Sequence, residues 1–407
     1  MGRKGRTLGS ILILICLTSL VLITHATVEA QTRTLIVPNQ YPTIQDAINN
    51  ADAGDIVYVR TGTYFINDSD LINIEKPVSI IGENPYNTII VQQPTSYYLE
   101  TIIVDAPNVT ISGFTFKELV GNVGYVAIDI GYSYAGGYVP NCNITDNHFV
   151  SGQEAIDVEE GANFTIADND ISECSLWAIY IAEGINGTII NNNLTENGQS
   201  GVGYGAMNCY SGSNLLFSNN TVQHNIEGLM FSYSDAVYIF KNNITNNQET
   251  GVALSDSCSN ITVYGNFIAR NGIGFALSSF NLPASGMFWV GTVGDNNYIF
   301  KNDFVGNLQQ VFIGQSNENI SGIDIVSWDF GKEGNYWSDY NGSGIYVIDQ
   351  NNIDHYPLTQ QVDISSIAVN PTSIVPEFPA IVILPLLLSL VAVAVIVRHR
   401  KTAKPNQ

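Results

Sequence analysis

Two aspartates about one repeat apart are the residues best placed to do chemistry. In the segments AIDI (127–130) and AIDV (155–158) the side chains alternate, so Ile128 and Ile156 face one way and Asp129 and Asp157 the other. The same alternation in AIYI (178–181) puts Ile179 on the first side and Tyr180 on the second. If these segments are neighbouring strands in register, the two carboxylates stand roughly 5 Å apart. At that distance they share a proton, with one pKa raised, or hold a cation such as Ca²⁺. Such a pair also suits the acid and base steps of glycoside chemistry. Glu159 and Glu160 follow directly. In so acidic a chain, a solvated acidic face is the plainer expectation.

A second set of residues is aromatic. Three stretches read as insertions into an otherwise regular pattern: GYSYAGGYVP (131–140), GAMNCYSGS (205–213) and SSFNLPASGMFWVGTVGD (278–295). They carry Tyr132, Tyr134, Tyr138, Tyr210, Phe280, Phe288 and Trp289 among small residues. Flat amphipathic rings in a polar setting suit the apolar faces of sugars, and Tyr180 joins them on the strand line of the acids. The rings would equally serve as a lid over the underlying strands. Soft metal ligands are scattered: His148, His224 and His355, Met207, Met230 and Met287, and Cys142, Cys174, Cys209 and Cys258. Copper sites built from such ligands come in close clusters, so none is expected, and no two cysteines share a repeat position in a way that supports a disulfide. Cys142 reads as a core residue.

What would bring these residues together is a repeat. From Asn108 to Asn307 a pattern returns eight times, starting at Asn108, Asn141, Asn163, Asn186, Asn214, Ala236, Asn260 and Asn296. Its fourth and ninth positions are always apolar. The seventh is Asn in every copy but the first (Asn147, Asn169, Asn192, Asn220, Asn242, Asn266 and Asn302), and from the fourth copy the twelfth is Asn too. The spacing is 22 to 24 residues except for steps of 33, 28 and 36, which hold the three insertions. Three short period-two strands separated by Asn and Gly corners fit each unit, whereas paired helices do not. One coil per unit, stacked at the strand-pairing distance, predicts an all-β, single-stranded parallel β-helix of about ten to twelve coils. Equivalent residues then stack, Asn at a corner tolerates left-handed angles, and its amide bonds the Asn one coil away. All three insertions are expected to leave at a similar corner and to line one side, the side repeat proteins use for binding.

The flanks divide the chain further. Residues 1–30 have a basic start, an apolar run and the small-residue pattern Val28-Glu29-Ala30, which reads as a signal peptide. In 31–107, Thr43 with Asp46 forms a capping-box pattern and Ile44, Ala47, Ile48 and Ala51 share a face, predicting a helix that caps the solenoid before its first coils. Regular repeats fill 108–325, a closing segment 326–360, and a linker 361–379. Ala380 to Val397 is apolar and is followed by the basic tail 398–407, as expected of a transmembrane helix with the solenoid outside. Residues 31–375 hold 8 Lys and Arg against 35 Asp and Glu, a balance that argues against nucleic acid as a partner. Sequons occur at Asn67, Asn108, Asn143, Asn163, Asn186, Asn193, Asn219, Asn243, Asn260, Asn319 and Asn341, so glycosylation is expected if the chain is exported.

The stretch YPTIQDAINNADAGDIVYVRTGTY (41–64), followed by Asn-cornered 22-residue repeats, resembles the opening of pectin lyase-like right-handed β-helix proteins. GNYWSDYNGSGIYVIDQNNIDHYPL (334–358) is similar to the closing segment of NosD-like archaeal surface proteins. Pro376, Glu377 and Phe378 before the apolar run resemble the PEF-type sorting signal that an archaeosortase reads. The resemblance implies a right-handed β-helix at the extracellular face of the membrane, and, through NosD, a link to copper maturation that the ligand pattern does not echo. The Gly-His-Gly and Arg-Ile-Lys motifs of polygalacturonases are missing, and the repeats hold only Lys117, Lys241, Arg270 and Lys301 as cations, so an enzyme is the lesser expectation. The reading is a surface-anchored β-helix that binds or presents a glycan or envelope polymer. Its rivals are a polysaccharide lyase or hydrolase, a NosD-like copper factor, and a structural envelope protein or adhesin.

Overall fold

Each period folds into three short strands because three apolar positions point inward and the residues between them turn. The computed structural model describes residues 32–67, 70–93, 99–118, 125–131, 137–201, 203–277, 292–314 and 326–367. Three parallel sheets of 11, 11 and 10 strands run the length of residues 34–337. The first sheet contains, for example, Thr110–Ser112, Asn143–Thr145 and Thr165–Ala167. The second contains Thr115–Glu118, His148–Val150 and Asp170–Ser172. The third contains Tyr125–Ile130, Glu154–Val158 and Ile179–Ala182. Strand n of each sheet pairs with its equivalent one coil on, so Ile144 pairs with Ile111 and Ile166, and Phe149 with Phe116 and Ile171. The fourth-position residues Ile111, Ile144, Ile166, Ile189, Phe217, Ile239, Val263 and Ile299 are all buried in one core, as are the ninth-position residues from Phe116 to Phe304.

The corners are held by amides. Asn147, Asn169, Asn192, Asn220, Asn242, Asn266, Asn302 and Asn335 form one buried file. Each of the first seven donates both its backbone N–H and its Nδ2 to the Oδ1 of the next; Asn192 reaches Asn220 at 2.9 and 3.0 Å. Each Nδ2 also donates to a carbonyl of the preceding coil, as Asn220 does to Ile189 at 2.9 Å. A second file, Asn197, Asn225, Asn247, Asn271 and Asn307, repeats this at the corner leading into the third sheet. One expectation needs correcting here. The left-handed angles are taken as expected by the first-position column, Asn108, Asn141, Asn163, Asn186, Asn214, Asn260 and Asn296, whose amides also bond from coil to coil; at the buried files they belong instead to the residue before each Asn, such as Asp146, Asp168, Asn191, Asn219 and Lys241. An interior carboxamide is needed for its hydrogen bonds, whereas the left-handed residue beside it is exposed and can be almost anything.

Both ends are closed. The helix α1, Ile44–Asn50, starts at Thr43, whose hydroxyl accepts from Asp46 N, and buries Ile44, Ala47 and Ile48 against the first strands. At the other end Trp337 stacks between Phe304 and Tyr346, with ring centroids 4.4 and 4.3 Å apart. Asp354 accepts from Trp337 Nε1 at 2.9 Å and from Asn335 N at 2.8 Å. Beyond Val362 begins a separate unit, whose described residues 363–367 include a 3₁₀ turn, Ile364–Ser366. No helix among the described residues is long and apolar enough to cross a membrane. The signal-peptide stretch, the run 380–397 and the motif Pro376, Glu377, Phe378 lie outside the described residues.

Asn220→Ala should lower stability by about 2–4 kcal/mol, because it removes two donors and orphans those of Asn192. Asn243→Ala, on the exposed side of a second-sheet strand, should change it by less than about 0.5 kcal/mol. Urea denaturation of the two variants makes the comparison, and equal losses would show that the buried file is not what holds the coils.

Candidate functional site

The third sheet positions the acids. Its register pairs Asp129 with Asp157, Asp157 with Tyr180, Tyr180 with Asn208, and Asn208 with Met230. The file ends on Ala253, Ala276 and Phe312. On the inner side of the same strands Ile128, Ile156, Ile179 and Met207 are fully buried. The predicted stacking of the two aspartates is therefore present, but the solvated acidic face is not. Asp129 is 2% exposed and Asp157 7%. Glu159, two residues beyond Asp157 and so on the same outward side, brings a third carboxylate into the group. One oxygen from each of the three lies within 4.8 Å of the others.

The electrostatics of this group are unusual. Asp129 Oδ1 and Asp157 Oδ1 are buried without a hydrogen-bond partner. Burial, followed by the neighbouring Glu159 and Glu100, pushes Asp129 up to about 8. Asp157 is held well above the usual carboxylate range by burial and then by Glu154 and Asp129. Burial and Glu159 raise Glu154 to about 7, and Glu100, opposite Val126 as Glu154 is on its other side, is raised by burial as well. Every influence that lifts Asp129 is burial or another acid; none is relieved by a Lys, Arg or His. Glu160 is tied separately, accepting from Gly137 N at 2.9 Å.

Aromatic rings follow the acids along the sheet. Trp177, Met230, Ala253 and Ala276 form a small outer cluster, with Leu176, Tyr180, Tyr204, Ile273 and Phe312 against it. Tyr210 and Tyr233 make an edge-on pair with centroids 5.2 Å apart and are 39% and 50% exposed. Tyr138 is 48% exposed. Tyr132, Tyr134, Phe280, Phe288 and Trp289 lie outside the described residues. Tyr233, Tyr204 and Trp177 were not foreseen, because none of them falls in a segment that the spacing marks as inserted.

The placement of the insertions is corrected too. Gly205–Tyr210 and Ser213–Ser218 are ordinary strands of the third and first sheets. The extra residues of that unit fall between Asn197 and Gly205, before the third-sheet strand, whereas those at 131–140 and 278–295 follow theirs. The insertions thus enter at both edges of the third sheet rather than at one corner.

Residues weighed for other roles sit apart. Cys142, Cys174, Cys209 and Cys258 are free and buried. His148 pairs with Asp170 and His355 with Asp329. Among the described residues, Asp129, Asp157 and Glu159 are the group of three or more His, Cys, Asp or Glu with metal-site geometry. The sequon asparagines that are described are half-buried or exposed, but the amides of Asn186, Asn193, Asn219 and Asn260 already donate to a neighbouring coil. Asn319 lies outside the described residues.

Parallel stacking of this kind, one coil per period, makes the chain a parallel β-helix, and part of its sequence is similar to a right-handed β-helix family. Residues 100–268 match the family model described as "Right handed beta helix region". Residues 200–342 match that of "Periplasmic copper-binding protein (NosD)". No curated protein matches the chain in sequence. Among solved structures it is similar to a DFA-IIIase from Arthrobacter chlorophenolicus in complex with DFA-III, at 15% identity and TM-score 0.50, over 72% of this chain and 79% of that one. It is also similar to the A-module of a mannuronan C-5 epimerase from Azotobacter vinelandii, at 15% identity and TM-score 0.44, over 68% of this chain and 92% of that one. At these identities the likeness is one of fold.

Farther along the third sheet, Glu227 is a buried carboxyl of another kind. It accepts from Thr250 N at 3.1 Å, its other oxygen has no partner, and burial pushes it up to about 8. A folded-state pKa raised above the unfolded value means that stability present below about pH 4.5 is lost as pH rises toward 8. Glu227→Gln should abolish that loss, gaining on the order of 3 kcal/mol over the native chain at pH 8 and little at pH 4.5. Thermal melts of both proteins across this range provide the check, and parallel curves would contradict it.

Proposed function

We propose that the outward side of the third sheet is a carbohydrate-binding face of an exported protein. The observation that carries this reading is the order of side chains along one strand line. Carboxylates at Asp129 and Asp157 give way one coil later to Tyr180 in the same file, and beside that file, on the line of Ala182, the next coil carries Tyr210, which meets Tyr233 edge-on. Acceptors for hydroxyl groups next to flat amphipathic rings are what a pyranose ring needs, and a row of them a coil apart suits a chain of such rings. The periplasmic description of the NosD model supports export, and the run 380–397 would then anchor the chain with its β-helix outside the membrane.

A second reading, an enzyme acting on a polysaccharide, follows from the stacked acids. Asp129 and Asp157 are close enough to serve as the paired carboxyl groups of a retaining glycosidase, for which about 5 Å is the usual spacing. Release of new reducing ends from a polysaccharide, lost in Asp157→Asn, would select that reading over plain binding.

For binding itself, Tyr180→Ala and the double variant Tyr210→Ala/Tyr233→Ala should keep the native melting temperature within a few degrees. Each should lose about tenfold or more in affinity for whichever glycan the native protein retains on a glycan array, since one lost ring contact is worth about 1–2 kcal/mol. Undiminished binding by both variants, or no glycan retained by the native protein across neutral, acidic and amino-sugar polymers, would overturn the reading.

A further inference from the structure

The three carboxylates pose a problem that sugar binding does not solve. An ionised carboxylate deep in a protein is costly unless it is paired and hydrogen-bonded, yet Asp129 Oδ1 and Asp157 Oδ1 have no hydrogen-bond partner. Both side chains are more than nine-tenths buried and aim at one point shared with Glu159. Apolar residues would fill this position at no such cost, as Met230 and Ala253 do in the same file.

We infer that Asp129, Asp157 and Glu159 form a binding site for a hard divalent cation of the Ca²⁺ type, clamped between two adjacent coils. Three oxygens no more than 4.8 Å from one another leave an ion at their centre about 2.8 Å or less from each, so a small contraction reaches the 2.3–2.6 Å of Ca²⁺–oxygen bonds. An all-oxygen set disfavours copper and zinc, which prefer nitrogen and sulfur. Ca²⁺ takes six to eight oxygens, so the protein supplies half the shell or less, and water or ligand hydroxyls complete it on the outward side. The donors come from strands joined by the register of Asp129 with Asp157, so the ion would cross-link consecutive coils. The site stands on this geometry alone and does not require that the face bind a sugar.

Titration of the chelator-treated full-length protein with CaCl₂, with no saccharide present, tests it. One equivalent of Ca²⁺ should bind, with a rise of several degrees in Tm, and Tb³⁺ in its place should luminesce on excitation of the adjacent Tyr180. Asp129→Asn/Asp157→Asn should abolish the heat, the Tm rise and the luminescence. Glu159→Gln, at the more accessible position and so a safeguard should the double variant fail to fold, should weaken Ca²⁺ at least tenfold. Glu227→Gln should bind as the native chain does. Absence of heat and of any Tm change at millimolar Ca²⁺ and Mg²⁺ would overturn the inference, as would unchanged affinity in Glu159→Gln. Because the readout is the ion alone, a protein that binds Ca²⁺ but no glycan would leave this site standing while removing the sugar-binding reading.

Discussion

Everything in this molecule depends on consecutive coils lying in register, and the interaction that fixes the register is the file of interior amides. An apolar core alone would tolerate one coil sliding on the next, since Ile over Ile and Ile over Phe are nearly equivalent contacts. A carboxamide that donates to the coil below while its oxygen accepts from the coil above permits no such slide. From Asn147 to Asn335 this arrangement continues without a break, passing the 28- and 36-residue steps of the repeat. Insertions can therefore be large without disturbing the strands on either side of them, because the corner that locks each coil is remote from the third-sheet edges where the extra chain departs.

The same register gives the third sheet its chemical polarity. A residue type chosen once per coil becomes a neighbour of the equivalent choice one coil on, so a change from Asp to Tyr in consecutive units becomes a boundary in space. Asp157 and Tyr180 are adjacent for no other reason than this. Burial then alters what the residues are. Carboxyl groups that would be ordinary anions on an open face are pushed toward neutrality, with no basic side chain among the influences on Asp129, so the face is acidic in composition and hungry for positive charge in effect.

The repeat pattern made most of the architecture legible. The alternation in AIDI, AIDV and AIYI placed each side chain on the correct side, the capping pattern at Thr43 and Asp46 marked α1, and the Asn spacing marked the buried files. What could not be read was depth. Outward residues in a strand are solvated unless something covers them, and the alternation that places Asp129 outward is the same in either case. The second insertion was misplaced for a related reason: Gly205–Tyr210 looks irregular because Met207, Asn208 and Cys209 replace the Ile-Asp-Ile type of run, yet it pairs on both sides as its neighbours do. The 28-residue step marks an insertion in this unit without saying on which side of the strand it falls, and the constancy of coil geometry puts it before Gly205.

A stack of identical risers has a ruler built into it. Along the axis of the sheets, any two functional groups are separated by a whole number of strand-pairing distances of roughly 4.8 Å, and no mutation short of adding or deleting a coil can change that interval continuously. A polymer lying along the axis would meet the side chains of this sheet at that fixed interval, one coil at a time. Selectivity on a surface of this kind is then a matter of order: it is set by which coil carries the acid and which the ring, and lengthening the solenoid by one unit between Asp157 and Tyr210 would set the two one whole step farther apart.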